Sequence, residues 1–334
     1  MQAAWYEKNG PAREVIRVGE LPDPQPAPGE VRARIHASGV NPSDVKRRLG
    51  NLGQTVSMPR VIPHSDGAGV IDAVGDGVPK ARIGERVWLY NAQWQRAFGT
   101  CAEYCCVPQA LACRLPDNVD FAAGANMGIP AMTAHRAVFC RGKVRGKTVL
   151  VTGGAGAVGH YAVQIAKWAG ARVIATVSSE QKAALARAAG AGEIIDYRRD
   201  DVAARVQLMT VGAGIDHVVE VDFGANIQTS VKVLKPNGTI AAYASSRAPE
   251  PVLPYYPLMT RGIGIDLVYV YILPPEARAQ ALADLDTLLG AGLLQHNIGA
   301  RFALAQTAAA HEAQESGQVT GNIVIDVARA TQNS

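Results

Sequence analysis

Up to about residue 122, apolar stretches are short and are separated by proline and glycine. This pattern is typical of strands joined by tight turns. We predict strands at residues 30–41, 67–78, 84–90 and 101–107. The first third of the chain is therefore expected to form a small, irregular, mostly β domain.

From Lys147 onward, apolar strands alternate with helical stretches. Six strands are predicted, at 148–152, Arg172–Val177, Glu193–Asp196, 217–221, 239–244 and 264–271. Helices are predicted between them, among others at 179–190 and 225–238. Six strands with helical crossovers indicate an α/β fold with a doubly wound parallel sheet. A long amphipathic helix at 275–292 and a last strand at 320–327 follow.

A glycine-rich turn joins the first of these strands to its helix. It has the pattern G-x-G-x-x-G at Gly154, Gly156 and Gly159. Glycine lets the backbone approach a pyrophosphate closely, and the helix start at Ala157 and Val158 offers N–H groups to that anion. The apolar positions of the helix share one face; they are Val158, Ala162, Ile165, Ala166 and Ala169. A dinucleotide site is predicted, with a turn that binds nothing as the alternative.

The tip of the second strand distinguishes between the two nicotinamide cofactors. An NAD site usually carries an acid there, which binds the ribose 2′-hydroxyl. Here the tip holds Ser178 and Ser179, with Lys182 three residues on and Tyr197 after the third strand. Hydroxyls and an ammonium suit a 2′-phosphate, so NADPH is predicted. Glu180 is expected to cap the following helix.

Bulk composition narrows the class of protein. The chain has 334 residues, which suggests two domains, and is 48% hydrophobic, which indicates a folded protein. A net charge of +4 makes nucleic acid an unlikely main partner. No apolar run is long enough to span a membrane, and no secretory signal is visible at the start. Five cysteines without a disulfide framework favour a reducing, cytoplasmic setting.

Several segments together resemble one known superfamily. They are "SGVNPSDVKRRLG", "SDGAGVIDAVGDGV", "GERVW", "GTCAEYCCVP", "GIPAMTAHRAV", "GGAGAVGHYAVQIAKWAGARVIAT", "IDYR" and "TGNIVI". The set resembles the medium-chain dehydrogenases/reductases, and most closely their zinc-free quinone oxidoreductase branch, which includes zeta-crystallin. The resemblance implies a GroES-like catalytic domain at 1–123 and 275–334, and a Rossmann domain binding NADPH at 124–274.

The resemblance also implies roles for individual residues. Ser178, Ser179, Lys182 and Tyr197 match 2′-phosphate contacts of bacterial quinone reductases. Thr133 matches a position lining the nicotinamide, and Tyr243 to Ser246, which include Ser245, follow the fifth strand where the loop should face that ring. Each of these nicotinamide-side residues has an ordinary core or turn role as its alternative. The apolar strand near 262–272 is expected to pair with a second copy in a homodimer.

The zinc positions of the superfamily hold unsuitable side chains. Asn41 stands where zinc members have cysteine, Ser65–Asp66 where they have His–Glu, and Met127 near the third ligand. His64 lies one residue too early to replace that histidine. The spacing of Cys101, Cys105, Cys106 and Cys113 does not suit a structural zinc site either. No metal is expected.

Without metal, catalysis is expected to depend on orientation and on stabilising a developing oxyanion. Asn41 can donate an N–H and Asp44 can orient it, with turn chemistry as the alternative for both. Lys46 replaces the tyrosine common in this branch. It is predicted either to favour an anionic substrate, to touch cofactor phosphate, or to lie on a solvated helix face.

We therefore predict an NADPH-dependent oxidoreductase that transfers hydride to a quinone. Reduction of the C=C bond of α,β-unsaturated carbonyls is the alternative in the same class, followed by a zinc alcohol dehydrogenase. A cofactor-binding crystallin-like protein, structural or nucleic-acid-binding and without turnover, is the alternative from another class.

Overall fold

The computed structural model describes residues 1–51 and 58–327. Strands predominate in the first part of this range, and strands alternate with helices from residue 148 onward. The strands are β1 (Gln2–Trp5), β2 (Arg17–Glu20), β3 (Glu30–Val40), β4 (Asp66–Val74), β5 (Arg86–Leu89), β6 (Tyr104–Pro108), β7 (Ala112–Arg114), β8 (Thr148–Val151), β9 (Arg172–Val177), β10 (Glu193–Asp196), β11 (Ile215–Glu220), β12 (Leu234–Ala242), β13 (Gly264–Leu267), β14 (Ile298–Ala303) and β15 (Asn322–Asp326).

The helices lie mostly between strands of the second half. They are α1 (Ala12–Val15), α2 (Pro42–Leu49), α3 (Phe121–Gly124), α4 (Met132–Phe139), α5 (Ala157–Trp168), α6 (Glu180–Ala188), α7 (Val202–Met209), α8 (Phe223–Val233), α9 (Tyr255–Thr260), α10 (Pro275–Gly290) and α11 (Thr307–Ser316). A π-helical turn, Met127–Ala131, precedes α4. Of the described helices, none is long and apolar enough to cross a membrane.

The chain divides into two compact units. One comprises Met1–Pro130 with Ala283–Ser334, and the other Ala131–Leu282. We call them the outer and the inserted unit. The functional domain limits at 123/124 and 274/275 remain a prediction, because compactness does not show which residues serve which function.

The outer unit is built on the long strand β3. Its alternate residues Val31, Ala33 and Ile35 are buried, while Arg32 and Arg34 point to the other face. β3 pairs antiparallel with β4, β6 and β15 in a sheet of order β14-β15-β3-β4-β5-β7. The last described strand of the chain therefore lies in the same sheet as β3, β4 and β5, with Ile323 opposite Val40.

The inserted unit holds a six-stranded parallel sheet of order β10-β9-β8-β11-β12-β13. The strand order runs outward in both directions from β8, which is the doubly wound arrangement. The predicted fold class, an α/β chain with a Rossmann sheet, is confirmed. Ligands bind such sheets at the carboxyl ends of the strands, near the point where the order reverses between β8 and β11.

Two predicted boundaries in this sheet were wrong. The helix predicted to 238 ends at Val233, and residues from Leu234 belong to β12. There the register with β11 shifts, and Asn237 takes the left-handed φ of 61°. The strand predicted at 264–271 ends at Leu267, because its partner β12 ends opposite it at Ala242. A 3₁₀ turn, Val270–Ile272, follows.

Candidate functional site

The glycine turn after β8 is tightly packed against its surroundings. A Cβ on Gly154 would lie 2.7 Å from the Ala175 Cβ, and one on Gly159 would lie 2.2 Å from the Gly153 carbonyl oxygen. Gly153 itself has a φ of +67°, which favours glycine. These three glycines allow the turn and the close packing of α5 on the sheet.

Gly156 has a different environment. It is the N-cap of α5 without a side-chain cap, and a Cβ there would approach nothing closer than the Gly153 oxygen at 3.3 Å. This contact is tight but looser than those at Gly154 and Gly159, and the first turn of α5, Ala157 and Val158, is half-buried. N–H groups in such a turn and the positive end of the helix dipole suit a phosphate.

Helix α5 is buried at more positions than its apolar stripe predicted, among them Tyr161 and Val163. Ala162, Ile165 and Ala166 are buried as expected, but Val158 and Ala169 are only half-buried. Helix α4 packs on α5 in addition to the sheet, so further positions of α5 are covered.

The tip of β9 carries hydroxyls and an ammonium. Lys182 Nζ donates to Ser178 Oγ at 3.1 Å, and Ser179 Oγ accepts the Lys182 N–H at 3.3 Å. Ser179, not Glu180, thus caps α6, and the capping role expected of Glu180 was wrong. Glu180 instead forms an exposed ion pair with Arg187 at 2.6 Å.

Tyr197 lies beside this tip. Its N–H donates to the Val177 carbonyl at 3.1 Å, and its side chain is 46% exposed. Three groups expected near a 2′-phosphate, namely Ser178, Lys182 and Tyr197, are thus neighbours at one corner of the carboxyl edge.

A buried carboxylate organises the end of β11. Glu220 accepts hydrogen bonds from four donors, which are Thr152 Oγ1 (3.0 Å), Asp222 N (2.7 Å), Asn226 Nδ2 (2.8 Å) and Ser230 Oγ (3.2 Å). Glu220 was not among the predicted site residues, although a carboxylate directly after the apolar pair Val218 and Val219 is uncommon in a strand. Fully satisfied, it fixes the edge beside the glycine turn.

The predicted nicotinamide-side residues lie in the same unit. Burial, and to a smaller degree Glu220, raises the pKa of Tyr243, whose N–H donates to the Glu220 carbonyl at 3.1 Å. Ser245 Oγ accepts from Gly224 N at 2.9 Å and donates to the Ala248 carbonyl at 2.5 Å, which is turn chemistry. Thr133 is 5% exposed near the start of α4. Their contact with a cofactor remains a prediction.

In the outer unit, Asn41 and Asp44 meet a third polar residue. The Asp44 carboxylate accepts the Asn41 N–H at 2.8 Å, which is the expected turn chemistry at the start of α2. The Asn41 amide donates to Asp66 Oδ2 at 2.9 Å, and Ile129 N donates to the same oxygen at 2.8 Å. All three polar side chains are nearly inaccessible. The sequence had placed Asp66 only at a zinc position.

The two carboxyl groups of this cluster hold protons more tightly than usual. Burial raises the pKa of Asp44 to about 6, against the hydrogen bond from Asn41. Burial also raises the pKa of Asp66 well above its ordinary range, and the nearby Asp44 charge raises it further. Both carboxyl groups therefore favour the protonated form more than a solvent-exposed aspartate does.

A chain of buried hydrogen bonds runs from α2 into the same region. Arg48 Nε donates to His311 Nδ1 at 3.4 Å. The Nε2 atom of His311 lies 2.9 Å from the Nε2 atom of His64. His64 Nδ1 lies 2.8 Å from Ser38 Oγ, which lies 2.7 Å from Thr100 Oγ1. Thr100 then donates to the Asp66 carbonyl at 2.5 Å.

All hydrogen bonds in this series donate in one direction, from Arg48 toward Asp66. A neutral imidazole has one donor and one acceptor nitrogen, so His311 accepts from Arg48 and donates to His64, and His64 donates to Ser38. His64 takes the left-handed φ of 78°, which is uncommon for a residue other than glycine. Burial lowers the pKa of His64 to about 3 and that of His311 well below its usual value. Protonating either ring would set two N–H groups against each other.

The three basic residues of α2 have different contacts. Arg47 donates to Gln93 and lies over the Trp94 ring, 5.6 Å from its centroid. Arg48 is buried and paired with Glu315. Lys46 is half-buried, and its ammonium forms no hydrogen bond or ion pair within the described ranges.

The donor set at the superfamily's zinc positions does not fit a zinc ion. Asp66 Oδ2 already accepts two hydrogen bonds, Asn41 donates to it, and Met127 supplies a thioether. Both ring nitrogens of His64 are engaged. Across residues 1–51 and 58–327, no three His, Cys, Asp or Glu side chains gather as metal ligands.

Family models match both halves of the chain. The alcohol dehydrogenase GroES-like domain matches residues 27–117, and the zinc-binding dehydrogenase model matches residues 157–286. With the fold, these matches define an oxidoreductase of the medium-chain dehydrogenase/reductase class.

Curated relatives narrow the class to one family. The chain is 32% identical over 317 residues to a quinone oxidoreductase of Pseudomonas aeruginosa, covering 93% of this chain and 95% of that one. It is 30% identical over 323 residues to the human quinone oxidoreductase, covering 96% and 95%. The chain belongs to the quinone oxidoreductase family. A 2-haloacrylate reductase of Burkholderia is 31% identical over 336 residues, covering 97% and 98%.

Solved structures show the same fold. An Escherichia coli quinone oxidoreductase complexed with NADPH superposes with a TM-score of 0.85 at 25% identity, covering 98% of this chain and 100% of that one. An NAD-dependent alcohol dehydrogenase gives a TM-score of 0.88 at 29% identity, with 98% and 100% covered.

Proposed function

We propose that this protein is an NADPH-dependent reductase that transfers hydride to quinones without a metal ion. The observation that carries the cofactor assignment is the tip of β9, where Lys182 Nζ lies on Ser178 Oγ and no carboxylate takes the usual NAD position. The similar E. coli enzyme was solved with NADPH, which supports the same choice.

The cofactor-binding residues follow from this edge. The glycines of the turn and the first residues of α5 would hold the pyrophosphate, and the tip of β9 with Tyr197 the 2′-phosphate. Tyr243, Ser245 and Thr133 are proposed for the nicotinamide side. The assignment comprises Thr133, Gly154, Gly156, Ala157, Val158, Gly159, Ser178, Ser179, Lys182, Tyr197, Tyr243 and Ser245.

Bound NADPH would supply the hydride, and the protein would position the acceptor and handle the proton. We assign Asn41 as the group that donates to the acceptor oxygen. The Asn41–Asp66 hydrogen bond fixes the plane of the Asn41 amide and so orients the group that is proposed to meet the acceptor. Asp44 holds the Asn41 backbone, and Lys46 favours acceptors with negative charge.

Metal-free chemistry is part of this proposal. It is supported by the donor set described above, in which amide, thioether and engaged carboxylate replace the ligands that zinc prefers. An oxyanion would then be stabilised by hydrogen-bond donors alone.

A second candidate is reduction of a C=C bond conjugated to a carbonyl. The similarity to a 2-haloacrylate reductase favours it, since an acrylate is a conjugated acceptor with a carboxylate. Lys46, a cation without a partner in the described part of the chain, suits such an anion.

The first experiment is to follow NADPH oxidation by chelator-treated protein. A simple quinone, a matched enone and 2-chloroacrylate are offered as acceptors, and NADH serves as the control cofactor. Quinone turnover with preference for NADPH supports the proposal. Turnover of the enone or acrylate alone replaces the quinone with the second candidate. NADPH binding without any turnover would favour a crystallin-like role, and dependence on added zinc would refute the metal-free claim.

Assembly and location complete the proposal. We propose a homodimer joined through the edge strand β13, supported by exposed apolar side chains such as Leu267, which is 78% exposed. Sedimentation as a monomer at micromolar concentration would contradict it. A cytoplasmic location is proposed from the cysteines, which are free.

A further inference from the structure

Arg247 is an exposed arginine held by one carboxylate in the loop after β12. Its Nε donates to Asp222 Oδ2 at 2.5 Å, and its backbone N–H donates to Asp222 Oδ1 at 3.2 Å. Both the backbone and the side chain of Arg247 are therefore fixed by the same acid. The remaining guanidinium nitrogens have no hydrogen-bond partner in the described ranges, and the side chain is 66% exposed.

The Asp222–Arg247 pair lies beside the glycine turn. A Cβ on Gly153 would be 3.2 Å from Val221 Cγ1, next to Asp222, and Gly153 N donates to Thr176 Oγ1 at 3.2 Å. The turn is thus flanked on one side by the end of β9 and on the other by the end of β11. Asp222, which holds Arg247, therefore follows a residue packed on the turn that is proposed to bind the pyrophosphate.

Arg247 also lies within electrostatic range of the 2′-phosphate corner. The hydrogen bond to Asp222 is the main reason that the pKa of Arg247 is raised, and Tyr197 adds a smaller contribution. Tyr197 is bonded through its backbone to Val177, one residue before Ser178.

We propose that Arg247, oriented by Asp222, binds the 2′-phosphate of the cofactor together with Lys182. A guanidinium presents a planar fork of donors that matches phosphate oxygens, whereas the Lys182 ammonium supplies a point charge. Asp222 accepts from Nε of Arg247, and the two terminal nitrogens of the guanidinium remain available to a phosphate. This inference rests on the proposed NADPH site and adds a residue that neither the glycine pattern nor the family resemblance identified.

The test compares two ligands that differ only in the phosphate. Binding of 2′,5′-ADP and 5′-AMP to the full-length protein is measured by isothermal titration calorimetry. Arg247→Gln is expected to weaken 2′,5′-ADP roughly tenfold, the loss of one charge-assisted hydrogen bond, and to leave 5′-AMP within about twofold. Arg247→Lys should recover part of the loss. A thermal melt of each variant establishes that it is folded.

Arg172→Gln is the matched control. Arg172 also forms an exposed ion pair, with Glu193, but both residues begin strands and so lie at the opposite edge of the parallel sheet. Neither ligand should change in affinity.

The outcomes separate the two proposals. Wild-type protein that does not prefer 2′,5′-ADP over 5′-AMP would overturn the NADPH assignment and this inference with it. A wild-type preference that survives intact in folded Arg247→Gln would overturn this inference alone. Equal losses for both ligands would also overturn it, because Arg247 would then contact the part they share.

Discussion

Acid should destabilise the outer unit through the buried pair of histidines. A histidine whose folded pKa lies far below the unfolded value of about 6.5 stays neutral in the native protein but binds a proton when unfolded. Its contribution to the free energy of unfolding is complete above the unfolded pKa of about 6.5 and falls as the pH drops below that pKa. The folded pKa of His64 is about 3, and that of His311 is also lowered well below its usual value. Both rings therefore stay neutral in the native protein while the unfolded chain takes up protons between about pH 6.5 and 5.5.

The magnitude follows from linkage. Between pH 7.0 and 5.5, each such histidine costs about 1.3 kcal/mol of unfolding free energy. Asp44 and Asp66 act in the opposite direction, because a raised carboxyl pKa in the folded state adds stability as the pH falls. The loss in wild type is therefore partly offset, and only a difference between variants isolates one histidine.

His311→Gln provides that difference. A glutamine amide can accept from Arg48 and donate to His64, so the direction of the chain is kept without a titrating ring. Wild type should lose about 1.3 kcal/mol more than the variant between pH 7.0 and 5.5. Urea unfolding followed by tryptophan fluorescence measures it, since Trp5, Trp88 and Trp94 lie in the outer unit.

Glu312→Gln is the control on the same helix. Its exposed carboxyl pairs with Arg13, and its pKa lies below the ordinary value, so removing it should not change the dependence between pH 7.0 and 5.5. Equal losses of stability in wild type and His311→Gln would refute the reasoning, since they would show that His311 is charged in the native state or titrates normally there.

Three further results are expected. Gly159→Ala should destabilise the protein by about 1–3 kcal/mol in urea unfolding, because its Cβ would meet the Gly153 carbonyl oxygen at 2.2 Å. Gly156→Ala, whose Cβ would lie 3.3 Å from the same oxygen, should destabilise the protein less and weaken NADPH in a fluorescence titration. Equal stability of the two variants would contradict the packing argument. Ser178→Asp should lower kcat/KM for NADPH at least roughly tenfold and spare NADH, since it places a carboxylate where a phosphate is expected; an unchanged cofactor ratio would count against the site. Asp66→Ala should lower kcat about tenfold with little change in NADPH affinity, because it removes the acceptor that orients Asn41, and an unchanged kcat in the folded variant would exclude that positioning role.

Local patterns predicted the parts of the molecule that depend on local interactions. The six-strand alternation and the glycine turn are set by residues near one another in sequence, such as Gly154 against Ala175. The end of α8 was misjudged because the apolar run through Leu234 suits a helix and a strand equally, and the bulge at Asn237 decided between them.

Contacts between distant residues were not predictable in this way. His64 and His311 are 247 positions apart, and nothing in either neighbourhood indicates the other. Asp66 became visible as the partner of Asn41 only once β4 and the start of α2 were placed together. Arg247 likewise acquires its role from Asp222, which lies on another loop.

The pairing of β15 with β3 has a consequence for biosynthesis. A nascent chain emerges from its N-terminus, so β3 leaves the ribosome while β15 is still untranslated. The inserted unit is complete earlier and can fold while the first strands wait with an unpaired edge at Val40. Chains stalled just before Asn322 should therefore contain a native inserted unit, with the edge of β3 at residues 37–40 exposed to chaperones or to other nascent chains.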